Sequence, residues 1–167
     1  MIALLSFLAV LHPGQTPPSA KAKMAELSFL VGTWQGSGWQ ARGEDKDTFN
    51  GTEVARFSAG ETALVIEGHQ FGTVNGSAGL RERYNGLVVI TWNAEKSCYR
   101  MAQQFSTGSY VEYEGRLVDG ALLWKVQENL SVSLQVKDGE WLEQAFLTNG
   151  EDKTVIFELT MKKKSEQ

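Results

Sequence analysis

Leu27-Ser-Phe-Leu-Val-Gly-Thr-Trp34-Gln-Gly-Ser-Gly-Trp39 is the stretch that decides the fold. A short apolar turn runs into Gly32-Thr33-Trp34, and an alternating glycine-rich strand follows. Behind it the chain settles into short runs with period-two alternation, the pattern of strands buried on one face. The runs fall at 33–42, 47–58, 62–73, 83–93, 98–106, 109–118, 121–128, 131–137, 140–148 and 154–162. Asp119-Gly120 and Asp138-Gly139 read as two-residue hairpin turns, because Asp-Gly tolerates the positive φ such turns require.

Asn149-Gly150 opens the last connection, and Asn75-Gly76-Ser77-Ala78-Gly79 reads as a flexible loop. No segment has the length and spacing of a core helix. Short strands in sequence, joined by tight turns, predict an all-β fold: an antiparallel up-and-down barrel of about ten strands with a short helical plug before it. Closure removes the exposed edges a meander of this length would carry, and few connections are long enough for the crossings of a sandwich.

A chain of 167 residues with 42% hydrophobic and 22% charged content fits one globular domain. A net charge of -4 argues against nucleic acid, and the one basic run, Lys162-Lys163-Lys164, reads as part of a solvated tail. The single cysteine, Cys98, cannot close an intramolecular disulfide, and no histidine lies near it in sequence to activate it. Ile2 to Leu11 is an apolar run too short to span a bilayer as a helix, and Ala20-Lys21-Ala22 has the form of a signal cleavage site. No Lys or Arg precedes that run. The expected organisation is a signal peptide at 1–22, a helical lead-in at 23–32, the barrel at 33–162 and a polar tail at 163–167. The product is secreted or periplasmic, or cytoplasmic if Met24 is the true start.

Alternation assigns the faces. Leu64, Ile66, Tyr99, Met101, Phe105, Tyr113, Leu122, Trp124, Val132 and Leu134 point inward, as do Val155, Phe157, Leu159 and Met161. The interior is thus expected to be apolar and aromatic. Trp34, Gly36 and Gly38 form the inward side of the first strand, and the two glycines leave room for large facing residues or a ligand. A barrel of this size can hold one small molecule or be filled by its own side chains.

Signals for chemistry are few. His12 falls in the expected signal, which leaves His69, placed outward on the face of Glu67. One histidine cannot build a three-histidine zinc site, and neither a nucleophile elbow nor a phosphate-binding loop is present. Among inward polar groups only Tyr99, Gln103 and Tyr113 suggest themselves. Arg81 and Arg83 share a face beside the glycine-rich loop, where a carboxylate head group could be received or surface acids paired.

Phe29-Leu30-Val31-Gly32-Thr33-Trp34 resembles the opening of the calycin superfamily, in which the Gly-x-Trp tryptophan closes one barrel end. It is similar to nitrobindin-type haem barrels and to a family of exported bacterial lipocalin-like proteins. Ile66-Glu67-Gly68-His69, Ile90-Thr91-Trp92-Asn93, Tyr99-Arg100 and Gly115-Arg116-Leu117-Val118-Asp119-Gly120 resemble segments of the latter. The resemblance implies a lipocalin-like barrel, a structural role for Trp34 and small-molecule binding. Nitrobindin-type barrels ligate haem through a late histidine; none follows His69, so no haem and no other cofactor is expected. The late arginine that lipocalins pack on the first tryptophan is also missing, with only Lys162 to Lys164 near that place.

The leading expectation is an exported barrel binding a small apolar or amphipathic molecule without chemistry. The expected lining is Leu64, Ile66, Met101, Phe105, Tyr113, Trp124 and Leu134, with Arg83 at the mouth. No nucleic acid and no transmembrane span in the mature chain are expected. Two alternatives stay open: a filled structural or interaction barrel, and a barrel enzyme of isomerase or cyclase type.

Overall fold

The computed structural model describes residues 19–76 and 79–165; the apolar run Ile2–Leu11, His12 and the pair Ser77-Ala78 lie outside them. Helix α1 (Ala20–Ala25) is capped by the Ser19 hydroxyl, which accepts from the Ala22 amide at 3.1 Å. A 3₁₀ turn (Ser28–Leu30) follows. The lead-in is therefore two short pieces, and it begins upstream of residue 23 because Ser19 supplies the cap.

Ten strands then follow: β1 (Gly32–Arg42), β2 (Asp45–Ser58), β3 (Ala63–Gly72), β4 (Arg81–Asn93), β5 (Cys98–Phe105), β6 (Tyr110–Val118), β7 (Ala121–Gln127), β8 (Leu130–Lys137), β9 (Glu140–Asn149) and β10 (Asp152–Lys163). Each pairs antiparallel with its sequence neighbours, and β10 returns to β1, closing the barrel. Asp119 (φ 50°), Gly120 (φ 80°), Asp138 (φ 53°) and Gly139 (φ 79°) turn left-handed at the two expected hairpins.

At the seam, Trp34 meets Lys163 and Gly38 meets Leu159. A Cβ on Gly36 would lie 2.0 Å from the Thr160 carbonyl oxygen, and one on Gly38 would strike the Phe49 ring at 2.6 Å. The room these glycines leave is thus taken by the β10 backbone and Phe49. Strand β10 runs on through Lys163, whose Nζ sits 5.7 Å above the Trp34 ring. The first residue assigned to the tail is a strand residue.

The lead-in closes one end. Met24, Leu27 and Leu30 are fully buried in one cluster with Trp34, Leu64, Ile90, Tyr99 and Trp141. Trp34 donates its indole N–H to the Leu30 carbonyl at 2.8 Å, which fixes the Gly-x-Trp element to the 3₁₀ turn. The Tyr99 hydroxyl lies 3.0 Å from the Lys23 carbonyl and 2.9 Å from the Glu26 carboxylate, so it anchors the plug.

Strict alternation fails at three bulges. Arg83, Val126 and Ile156 are extra residues between Glu82 and Tyr84, Lys125 and Gln127, and Val155 and Phe157. A bulge re-aims side chains, and the first of these places Arg83 beside Tyr84 on the inner wall.

Candidate functional site

Away from the plug the barrel holds a cavity of about 320 Å³. Ile66, Met101, Phe105, Tyr113, Trp124 and Leu134 line it, and Arg83 stands at its rim with Gln40. Leu64 does not reach it; its side chain is fully buried in the cluster beneath the plug. Tyr99 is likewise absorbed by the plug. Gln103 lines the cavity and donates to the Tyr84 hydroxyl at 3.1 Å, leaving that hydroxyl free to donate in turn.

One wall is polar, contrary to the apolar interior expected. Strand β2 alternates with unusual regularity, and its inward face reads Asp47, Phe49, Gly51, Glu53, Ala55. Glu53 is 5% exposed. It pairs across the sheet with Gly68, and a Cβ there would lie 2.4 Å from Glu53 Oε2 and 2.5 Å from Tyr84 Cε1. Gly68 therefore makes the niche that both side chains share. Glu143 of β9, half-buried, lines the same cavity.

Burial pushes the Glu53 carboxyl up to about 8, with the neighbouring Glu143 charge adding to the rise and a Gln70 hydrogen bond opposing it. Burial also pushes Glu143 up to about 7. Trp141 pulls Glu143 partly back, yet its indole N–H is buried and meets no partner in hydrogen-bonding geometry among the described residues. Burial raises the Tyr84 hydroxyl above the ordinary tyrosine range.

Alternation in β2 and β9 already places Glu53 with Phe49 and Glu143 with Trp141. That alternation is the signal in the sequence by which both acids could have been found.

The rim is held by ion pairs and backbone contacts. Asp47 accepts from the amides of Asn75 at 2.9 Å and Gly76 at 3.0 Å, tying down the start of the β3–β4 connection. These contacts, led by Gly76, keep its carboxyl below the usual range. Arg83 donates to the Thr73 carbonyl at 2.6 Å and to Gln40 Oε1 at 2.5 Å, and lies 4.0 Å from Asp47. Arg83 is thus committed to the rim, while Arg81 is exposed, and the two do not act as a pair.

His69 points outward as expected, but its partner is Glu82 at 2.7 Å; Glu67 pairs with Arg56 at 2.6 Å. Cys98 is buried. Among the described residues no cluster of three or more His, Cys, Asp and Glu could hold a metal ion, and no helix is long and apolar enough to cross a membrane.

These features define a closed ten-stranded antiparallel barrel, plugged at one end, with an internal cavity whose wall is part apolar and part acidic. No protein-family model and no curated protein matches the sequence. Among solved structures, the chain is similar to the crystal structure of Rv2717c from M. tuberculosis. That match has a TM-score of 0.59 at 10% identity and covers 85% of this chain and 97% of that one. At that identity the likeness carries the barrel fold alone.

Proposed function

We propose that this protein is a lipocalin-like barrel that binds a small amphipathic molecule in its cavity without transforming it. The observation that carries the reading is the cavity itself. It lies at the small end of the range typical of ligand sites, and joins an apolar wall to a few convergent polar groups. Such a space speaks against a barrel filled by its own side chains. Trp124 on the wall offers a fluorescence reporter.

The test is native mass spectrometry on protein purified from its own host, compared with its denatured mass. An excess native mass that quenches Trp124 and raises the melting temperature on re-addition supports the reading. No excess, and no shift across a panel of lipids, haem and retinoid-like compounds, refutes it.

Export is part of the proposal, and the denatured mass tests it by reporting whether the first 22 residues are gone. Cleavage after Ala22 removes the Ser19 cap and the Lys21–Glu61 ion pair, but keeps Met24, Leu27 and Leu30.

The buried carboxyls favour one second reading, proton transfer on a bound substrate of the isomerase or cyclase kind, since groups titrating near neutrality in a cavity suit that work. A ligand recovered chemically unchanged after prolonged incubation rules against it.

A further inference from the structure

We infer that the cavity is built for an organic cation, a protonated amine carried on an apolar body, held between the carboxylates of Glu53 and Glu143. The inference rests on the ligand-binding reading above and names the chemistry of the ligand.

Two acids, Glu53 on β2 and Glu143 on β9, line one cavity. Buried carboxylates are ordinarily matched by a cation or a metal. Among the described residues no matching charge is supplied: the charge acting on Glu53 is that of Glu143, another acid. The one cationic side chain on the lining, Arg83, is bound to Thr73, Gln40 and Asp47 at the rim. No third acid, histidine or cysteine joins the pair among the described residues, which favours an organic cation over a metal ion.

A second observation points the same way. The Trp141 side chain also lines this cavity; it is only 1% exposed, and its buried indole N–H meets no partner in hydrogen-bonding geometry among the described residues. An ionised Glu143, the state an incoming cation stabilises, is a stronger acceptor for that donor than the neutral acid. Aromatic faces suited to a cation, Tyr84 and Trp124, stand on the same lining. The net charge of -4 favours the approach of a cation.

The test is isothermal titration calorimetry of the full barrel with octylamine, octanol and octanoate, which share a chain and differ in the head. The amine should bind at least about tenfold tighter than the alcohol, and octanoate weakest. Binding of the amine should also release protons, seen as a heat that varies with the ionisation enthalpy of the buffer.

In the isosteric variants Glu53→Gln and Glu143→Gln, amine affinity should fall to that of the alcohol while alcohol affinity is kept, which also certifies the fold. Equal binding of amine and alcohol, or preference for octanoate, overturns the inference and leaves the ligand-binding reading standing. Binding of none of the three, in a barrel that also purifies empty, overturns both.

Discussion

Replacing Glu53 by glutamine should make the protein more stable at pH 8 and change little at pH 5. In the folded state the Glu53 carboxyl titrates at about 8 against an ordinary 4.5. Between those values the native protein holds a proton that the unfolded chain has released. Stability linked to this group is therefore fully present below pH 4.5 and is lost as pH rises to about 8.

At about 1.4 kcal/mol per pH unit the loss has an upper bound of roughly 5 kcal/mol. Water entering the cavity raises the local dielectric, and about 2–3 kcal/mol is the working expectation. Glu143, about 7 in the fold, acts in the same direction, and the two acids titrate as a pair. Asp47, Glu82 and Glu112 are held low, so their contribution is lost on the acid side. An optimum near pH 5 follows.

Urea unfolding at pH 5 and pH 8 measures this, with an unchanged m-value as the sign that only stability has moved. Glu53→Gln should abolish most of the fall toward pH 8. A wild-type protein equally stable at both pH values, or a variant that keeps the full decline, would refute the reasoning.

Gly36→Ala should prevent closure of the barrel, since the new methyl would sit 2.0 Å from a backbone oxygen that cannot move aside; loss of the folded signal in circular dichroism is the readout. Trp34→Phe removes a buried hydrogen bond to Leu30 and part of the contact with Trp141, whose ring centroid is 5.6 Å away, and should cost about 2–4 kcal/mol in urea unfolding. Cys98 is 3% exposed and should react with a thiol reagent only after denaturation; fast labelling of the native protein would contradict its burial. His69→Ala removes a rim-facing pair with Glu82 on the outer surface and should leave ligand affinity unchanged in the titrations.

The barrel was legible because its signals are local. Asp119-Gly120 and Asp138-Gly139 dictate hairpins through their own backbone, and alternation from β5 through β8 is carried by obvious apolar residues such as Met101, Trp124 and Leu134. The apolar half of the cavity followed from the same signal.

The acidic half was hidden because burial of a carboxylate opposes the rule that charge faces water, and only the niche at Gly68 and the strands around it make room for Glu53. Leu64 shows the limit from the other side. Its inward direction is right, but which end of the barrel it meets depends on the plug docking there. Arg83 owes its position to a bulge, and a single inserted residue leaves no mark in a two-residue repeat.

The seam between β1 and β10 has a further consequence, for the order of folding. Nine of the ten pairings join strands adjacent in sequence and can form as each hairpin emerges from the ribosome. The tenth brings Trp34 to Lys163 and must wait until β10 has been made. Until then β1 and β9 both present open edges, with the glycines of β1 offering backbone and little side chain to hold a partner. The interval before β10 arrives is when the barrel strands are most exposed to edge-to-edge aggregation, and β10 is the strand that ends it.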